Sequence, residues 1–192
     1  MVKVVIVNGM PGCGKTTFQK ICDEICDPFK KVQGFAPNHI LAVDSMSTVD
    51  FVKHIAMRCG WNGEKTPKNR KFLSDLKALL TEWDDVPYKK IKGWVSSRTF
   101  GNEFVDWILF VDCREPAEIQ KLKEGLNATT VLIRRESIEN AETSNASDAN
   151  VFDYDYDLTI WNEFGLDELE VMAKAFIDYM KKEEVPHYEY GN

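Results

Sequence analysis

Five short apolar runs punctuate this chain, and helical patterns lie between them. The runs are Lys3 to Val7, His39 to Val43, Val105 to Val111, Ala128 to Ile133 and Asp157 to Trp161. Each is continuous rather than alternating in hydrophobicity, which is how strands covered on both faces read. After the first run, Phe18, Ile21, Cys22 and Ile25 recur at helical spacing. Val49 to Cys59 follows, opened by Ser47 with Asp50 three residues on, a start close to a capping box. Pro67 to Trp83 carries Phe72, Leu73, Leu76, Leu79, Leu80 and Trp83 on one face. Thr66 is its expected N-cap, and Pro67 suits its first turn. Pro116 to Glu124 is read as ending at Gly125 in the C′ position, and Leu166 to about Met180 forms the last helix. Strands alternating with helices predict an α/β fold with a parallel sheet clothed on both faces and ligands at the carboxyl ends of its strands.

Two stretches break the rhythm. Asp84 to Asn102 is polar and turn-rich, and Glu136 to Asp155 is a run of Ser, Asn, Asp, Glu and Ala with little to bury. An irregular segment of about 20 residues in a compact domain is usually functional, so the second is read as a lid. The rings of Trp83, Trp94, Trp107 and Trp161 are read as core. A chain of 192 residues suits one domain with a full core.

The chemistry begins where the first strand ends. Gly9-Met10-Pro11-Gly12-Cys13-Gly14-Lys15-Thr16, followed by Thr17, fits the phosphate-binding pattern G-x-x-x-x-G-K-[ST]. Glycines let successive backbone N–H groups turn inward around an anion. Lys15 adds charge for the β- and γ-phosphates, and the Thr16 hydroxyl suits Mg²⁺. The helix that follows points its positive dipole end at the same place. Strand, loop and helix agree, so ATP and Mg²⁺ are the expected cofactors.

Other candidates sit just past the remaining strands. Asp44 and Ser45 follow the second, where a carboxylate suits orienting or deprotonating an acceptor hydroxyl; an Asp closing a strand-to-helix turn is the plainer alternative. Asp112 ends Trp107-Ile108-Leu109-Phe110-Val111-Asp112 and is read as a support of the Mg²⁺ shell. Arg114, two residues on, offers a planar fork for a phosphate. Arg134 and Arg135 open the lid stretch, where a closing segment would deliver charge to the γ-phosphate. Arg70 and Arg98 are further acceptor-phosphate candidates.

Bulk properties narrow the partners. A formal net charge of −7 argues against nucleic acid, because phosphate backbones call for a basic surface. The five cysteines are odd in number and lack paired spacing, which reads as reduced thiols in a cytoplasmic protein without a zinc site. Cys13, beside Lys15 and a helix start, is expected to carry a lowered pKa. No apolar run approaches the roughly 18 residues that span a bilayer, so no membrane partner is expected. The quaternary expectation is a monomer or a homodimer.

Four stretches together resemble the P-loop nucleoside monophosphate kinase superfamily, nearest to phage-type deoxynucleoside monophosphate kinases and animal-type phosphomevalonate kinases. They are Gly9 to Thr17; Gly60-Trp61-Asn62-Gly63-Glu64-Lys65-Thr66 with Arg70, Leu73 and Leu76; Val111-Asp112-Cys113-Arg114-Glu115-Pro116-Ala117-Glu118; and Tyr156 to Leu169, containing Ile160-Trp161-Asn162. The resemblance implies a sheet of order 2-3-1-4-5, an acceptor-binding cap over about 47–102 and a lid over about 134–155. It implies transfer of the ATP γ-phosphate to a small phosphorylated acceptor, with Arg70 and Arg114 on the acceptor phosphate and Asp112 near the metal. One of Arg134 and Arg135 would be the lid arginine. The lid departs from the family pattern, since Glu136 to Asp155 holds no Lys or Arg. A (deoxy)nucleoside monophosphate is the expected acceptor. A phosphorylated metabolite, a nucleoside, or a non-catalytic nucleotide-binding module are the alternatives.

Overall fold

The computed structural model of the chain describes residues 1–26, 40–100, 104–139 and 150–182. His39, residues 101–102 of the expected cap and residues 140–149 of the expected lid lie outside them. Five strands, β1 (Val2–Asn8), β2 (Ile40–Ser47), β3 (Val105–Asp112), β4 (Thr129–Arg134) and β5 (Leu158–Trp161), form one sheet in the order β2-β3-β1-β4-β5. Every pairing is parallel, as the continuous apolar runs predicted.

Alternate residues of β1 feed opposite faces of the sheet. Val5 and Val7 join Phe18 and Cys22 of α1 (Lys15–Cys26) and Phe176 and Ile177 of α7 (Leu166–Lys182). Phe18, Phe110 and Phe176 meet there with ring centroids 5.4 to 6.2 Å apart. Val4 and Ile6 face the other way, onto Ile91 of α4 (Val86–Thr99) and Ile119 and Leu122 of α5 (Pro116–Leu126). The result is a three-layer α/β fold. Two further helices, α2 (Asp50–Arg58) and α3 (Pro67–Asp84), extend from the carboxyl end of β2, and α6 (Glu136–Glu139) is a single turn after β4. Thr66 caps α3 as expected, its Oγ1 accepting from Asn69 N at 3.2 Å.

Four local expectations are overturned: Trp83 and Trp161, read as core, are exposed, and three segments differ. Asp84 to Asn102 is largely helix α4, with Val86, Pro87 and Ile91 buried. Its apolar positions 87, 91, 94 and 95 do fall at helical spacing, but Lys89, Lys90, Lys92 and the Ser96-Ser97 pair gave the segment a loop-like composition. Gly125 is not a C′ residue: α5 runs on to Leu126, and Asn127 takes the left-handed conformation at φ 48°. Gly125 serves close approach instead, because a Cβ there would lie 2.1 Å from the Tyr88 hydroxyl. The stretch from Glu136 to Asp155 does bury apolar groups, since Val151 is fully enclosed with Met10 and Leu132 and Ile138 is half-buried beside them.

Asp157 fastens β5 to its neighbour. Its Oδ2 accepts from Thr130 N at 2.8 Å and Thr130 Oγ1 at 2.9 Å, while Lys123 donates to Oδ1 at 2.6 Å. Burial pushes its pKa up, but the Lys123 and Thr130 hydrogen bonds outweigh it and the net shift is downward. A depressed folded-state pKa adds stability above the ordinary carboxylate value, lost as pH falls through the folded value. Asp157→Asn is therefore expected to destabilise at neutral pH, with the penalty shrinking as acid protonates the wild-type carboxyl. Urea midpoints of both proteins from neutral pH to pH 3 check this; a pH-independent gap contradicts it.

Candidate active site

The carboxyl edge of the sheet carries the phosphate loop. Gly9 leaves β1 at φ 150°, and Gly12 and Gly14 turn at 85° and 104°, values that L side chains seldom adopt. Space matters as much as angle. A Cβ on Gly9 would lie 2.3 Å from Ile133 O and 2.6 Å from Cys13 Sγ, and one on Gly14 would lie 2.4 Å from Asn162 Nδ2. The loop closes on itself through Cys13 N donating to Met10 O at 3.2 Å. Asn162, just past β5, braces it from outside by donating to Cys13 O at 2.9 Å. Helix α1 then opens with no acidic residue in its first turn, so its positive dipole end points toward the loop without a carboxylate beside it.

Lys15 Nζ folds back on the loop, donating to Gly9 O at 2.5 Å and Met10 O at 3.0 Å. An ammonium held on two loop carbonyls fits a polyphosphate, which would take over those contacts. Pro11, Gly12 and Thr16 are exposed, and Thr17 is half-buried. Cys13 departs from expectation. It is fully buried, and that burial pushes its thiol pKa up against the opposing pull of Lys15. It packs beneath the loop as a small apolar group, and a labile thiolate is not what the site holds.

Asp112 ends β3 beside the loop. Gln19 Nε2, one turn past Lys15 on α1, donates to its Oδ1 at 3.1 Å. Burial raises the Asp112 pKa, the Gln19 bond and the charges of Lys15 and Arg114 oppose the rise, and Asp50 adds to it. Thr16 and Asp112 suit a divalent cation held mainly by phosphate oxygens and water. Among the described residues no cluster of three or more His, Cys, Asp or Glu groups could hold a metal by protein atoms alone.

Asn8, buried at the end of β1, ties the edge together. Its Oδ1 accepts from Gly9 N at 2.8 Å, and its Nδ2 donates to Arg114 O at 3.2 Å and to the Tyr156 hydroxyl at 2.7 Å. Tyr156 in turn donates to Val151 O at 2.9 Å. One amide thus links the phosphate loop, the loop bearing Arg114 and the segment returning from the expected lid. Asn8 and Gln19 carry no role in the sequence reading, and Asp50 enters it only as a helix-capping residue. The only signals for them are positional: Asn8 directly precedes the first loop glycine, and Gln19 lies four residues past Lys15 on the same helical face.

Asp44 and Arg98 do not join this edge. Asp44 lies inside β2 in register with Leu109, three residues short of the Ser47–Asp112 pair and so about 10 Å from the carboxyl edge. Arg98 holds it at 2.6 Å and lies over the Trp107 ring at 4.8 Å. The pair stitches α4 to the sheet; β2 runs four residues beyond its apolar run, to Ser47. At the true end, Ser47 N donates to Asp50 Oδ2 at 2.7 Å, which makes Asp50 the carboxylate near Asp112. Arg70 is exposed on α3, its Nε donating to Lys65 O at 3.1 Å. Arg134 closes β4 in a bidentate pair with Glu139, and its guanidinium stacks 4.4 Å from the Trp161 ring centroid and 5.0 Å from that of Phe152. Glu139 raises the Arg134 pKa and is itself held low. Arg135, the next residue, is exposed.

No family model matches the chain, and no curated protein does. Solved structures do. A sugar kinase from Janibacter sp. HTCC2649 aligns over 93% of this chain and 95% of its own at 15% identity and TM-score 0.51. An APS kinase from Mycobacterium tuberculosis covers 93% and 97% at 12% identity and TM-score 0.42, and a shikimate kinase from Bacteroides thetaiotaomicron 93% and 98% at 10% and 0.43. At these identities the likeness is one of fold. The chain has the α/β fold of P-loop kinases, with the sheet order 2-3-1-4-5. No helix among the described residues is long and apolar enough to cross a membrane.

Proposed function

We propose that this chain is an ATP- and Mg²⁺-dependent phosphotransferase whose acceptor is a small phosphorylated molecule, foremost a (deoxy)nucleoside monophosphate. One observation carries the reading: the glycine loop, Lys15 and the N-terminus of α1 lie beside Asp112, linked to it through Gln19, with Arg114 two residues further on. Phosphoryl transfer needs two anions placed in line and neutralised, and little covalent chemistry. Residues Gly9 to Thr17 would wrap the donor phosphates, with Lys15 on the β- and γ-oxygens. Mg²⁺, held through Thr16 and Asp112, would neutralise phosphate charge. Arg114 would grip the acceptor phosphate, with Arg70 reaching it from the cap over 47–102. Arg134 is committed to Glu139, so Arg135 is the arginine assigned to the γ-phosphate from the lid over 134–155. The whole chain acts as a single kinase domain.

A panel of nucleoside monophosphates with ATP and Mg²⁺ tests the acceptor class by ADP release. No turnover above background with any of them, alongside turnover of a phosphorylated metabolite, transfers the reading to that acceptor. Tight nucleotide binding with no transfer to either class rejects catalysis. Arg114→Ala is expected to raise the acceptor KM at least tenfold, the cost of about one charge-assisted hydrogen bond, while the ATP dissociation constant holds. Equal losses for both ligands contradict the acceptor assignment.

A further inference from the structure

Helix α3 leaves part of its apolar side outside: Leu73, Leu76 and Leu80 are half-buried, but the rest faces away from the protein. None of its residues is buried, and Phe72, Leu79 and Trp83 are 38%, 62% and 75% exposed. At about 100° per residue, Phe72, Leu76, Leu79 and Trp83 share a stripe roughly 60° wide, while Arg70 and Lys77 lie about 140–160° around the helix. Lys77 marks the side that meets the body: its ammonium holds Glu118 of α5 at 2.6 Å and reaches Thr48 at 3.4 Å. The exposed stripe therefore lies apart from the face assigned to the acceptor. Beside Trp83 a groove of about 440 Å³ opens between Phe51 and Ile55 of α2, Leu80 of α3 and Val86 of α4. Contiguous apolar surface of this kind marks an interface.

We propose that the stripe is a homodimer interface in which α3 packs antiparallel to α3 of a second copy across a twofold axis. The charges flanking the stripe choose this occupant and direction. Lys68 and Lys71 lie at the start of the flank and Glu82 at its far end, with Asp75 between them. Antiparallel pairing sets Lys68 and Lys71 of each copy against Glu82 of the other. Lys71 also holds Asp75 at 2.7 Å within its own helix, which keeps the middle of the seam near neutral. The same alignment places Phe72 against Trp83 and Leu76 against Leu79, with Phe72 of the second copy entering the groove beside Trp83. Such an isologous contact satisfies both copies with one set of residues and closes without leaving a free end. The 18-residue helix is about 27 Å long, and a single helix pair falls below the roughly 800 Å² per partner of a standard interface. The dimer is accordingly reversible and concentration-dependent. The proposal does not rest on the phosphotransfer reading.

Sedimentation of the full chain from low micromolar to several hundred micromolar tests it. The mass is expected to climb from the 22.0 kDa of one chain toward twice that value. Leu79→Glu should weaken association at least about tenfold, a loss of about 1.4 kcal/mol, while circular dichroism and thermal unfolding stay unchanged because Leu79 is exposed. Glu82→Lys should weaken it as well, and combining it with Lys68→Glu and Lys71→Glu should restore it. A monomer throughout overturns the proposal, whatever other molecule then binds the stripe. So does a dimer indifferent to Leu79→Glu. Failure of the charge swap to restore pairing overturns the antiparallel arrangement.

Discussion

Lys15→Ala is expected to reduce turnover by on the order of 10²- to 10³-fold or more, the cost of deleting one preorganised positive group from a developing phosphoryl charge. Two features make this the sharpest functional test. The ammonium already lies inside the loop, on Gly9 O and Met10 O, so no rearrangement of the backbone is needed to bring it to the phosphates. Its effect on stability is separable: the two carbonyls belong to the buried residues Gly9 and Met10, so losing the ammonium should cost on the order of 1 to 3 kcal/mol of stability, far less than would unfold the protein before turnover is read. Steady-state kinetics with saturating acceptor, paired with urea denaturation, separates the outcomes. Unchanged turnover would mean that the loop is decorative. A large stability loss would mean that Lys15 acts as a structural plug.

Gly9→Ala is expected to destabilise the protein by about 3 kcal/mol or more, the upper end of single-substitution effects. The added methyl would meet Ile133 O at 2.3 Å, and that carbonyl belongs to a buried residue next to the end of β4, held in register with Ile160 of β5, so backbone rather than a flexible side chain would have to shift. The other obstacle, Cys13 Sγ at 2.6 Å, is itself packed in the core. Backbone strain adds to this, since φ 150° is a conformation favoured by glycine. Gly12→Ala is the matched comparison. Its Cβ would find nothing nearer than Ile138 Cδ1 at 3.9 Å, so it bears conformational strain alone and should cost distinctly less. Equal midpoints for the two variants in urea would show that steric contact beneath the loop is not what demands glycine at position 9.

The core elements were legible because their signals are local. Short β-branched apolar runs bounded by turn residues suit strands covered on both faces, and the spacing of Phe18 and Cys22, like that of Phe176 and Ile177, buries one side of a helix. The phosphate loop was legible for a related reason: glycines, a lysine and a threonine at set intervals make an anion cradle wherever a strand feeds a helix. Helix α4 was not, because lysines and serines outnumber the few residues that it buries. Nor were Asn8 and Gln19, whose partners Tyr156 and Asp112 lie 148 and 93 residues away in the chain. Nothing in their own neighbourhood signals those bonds.

Asp44 and Arg134 illustrate the boundary most clearly. Sequence alone determined that a carboxylate follows the second apolar run and an arginine the fourth. How far each strand runs is decided by sheet register, and the partner each charge finds is decided by the packing of distant elements. The same division governs the amphipathic face of α3. Its apolar spacing was written in the residues, but whether that face turns inward depends on how much core surface remains to receive it. The sheet faces are already filled by α1 and α7 on one side and by α4 and α5 on the other. That leaves Phe72, Leu79 and Trp83 on the outside, a consequence of three-dimensional space rather than of periodicity.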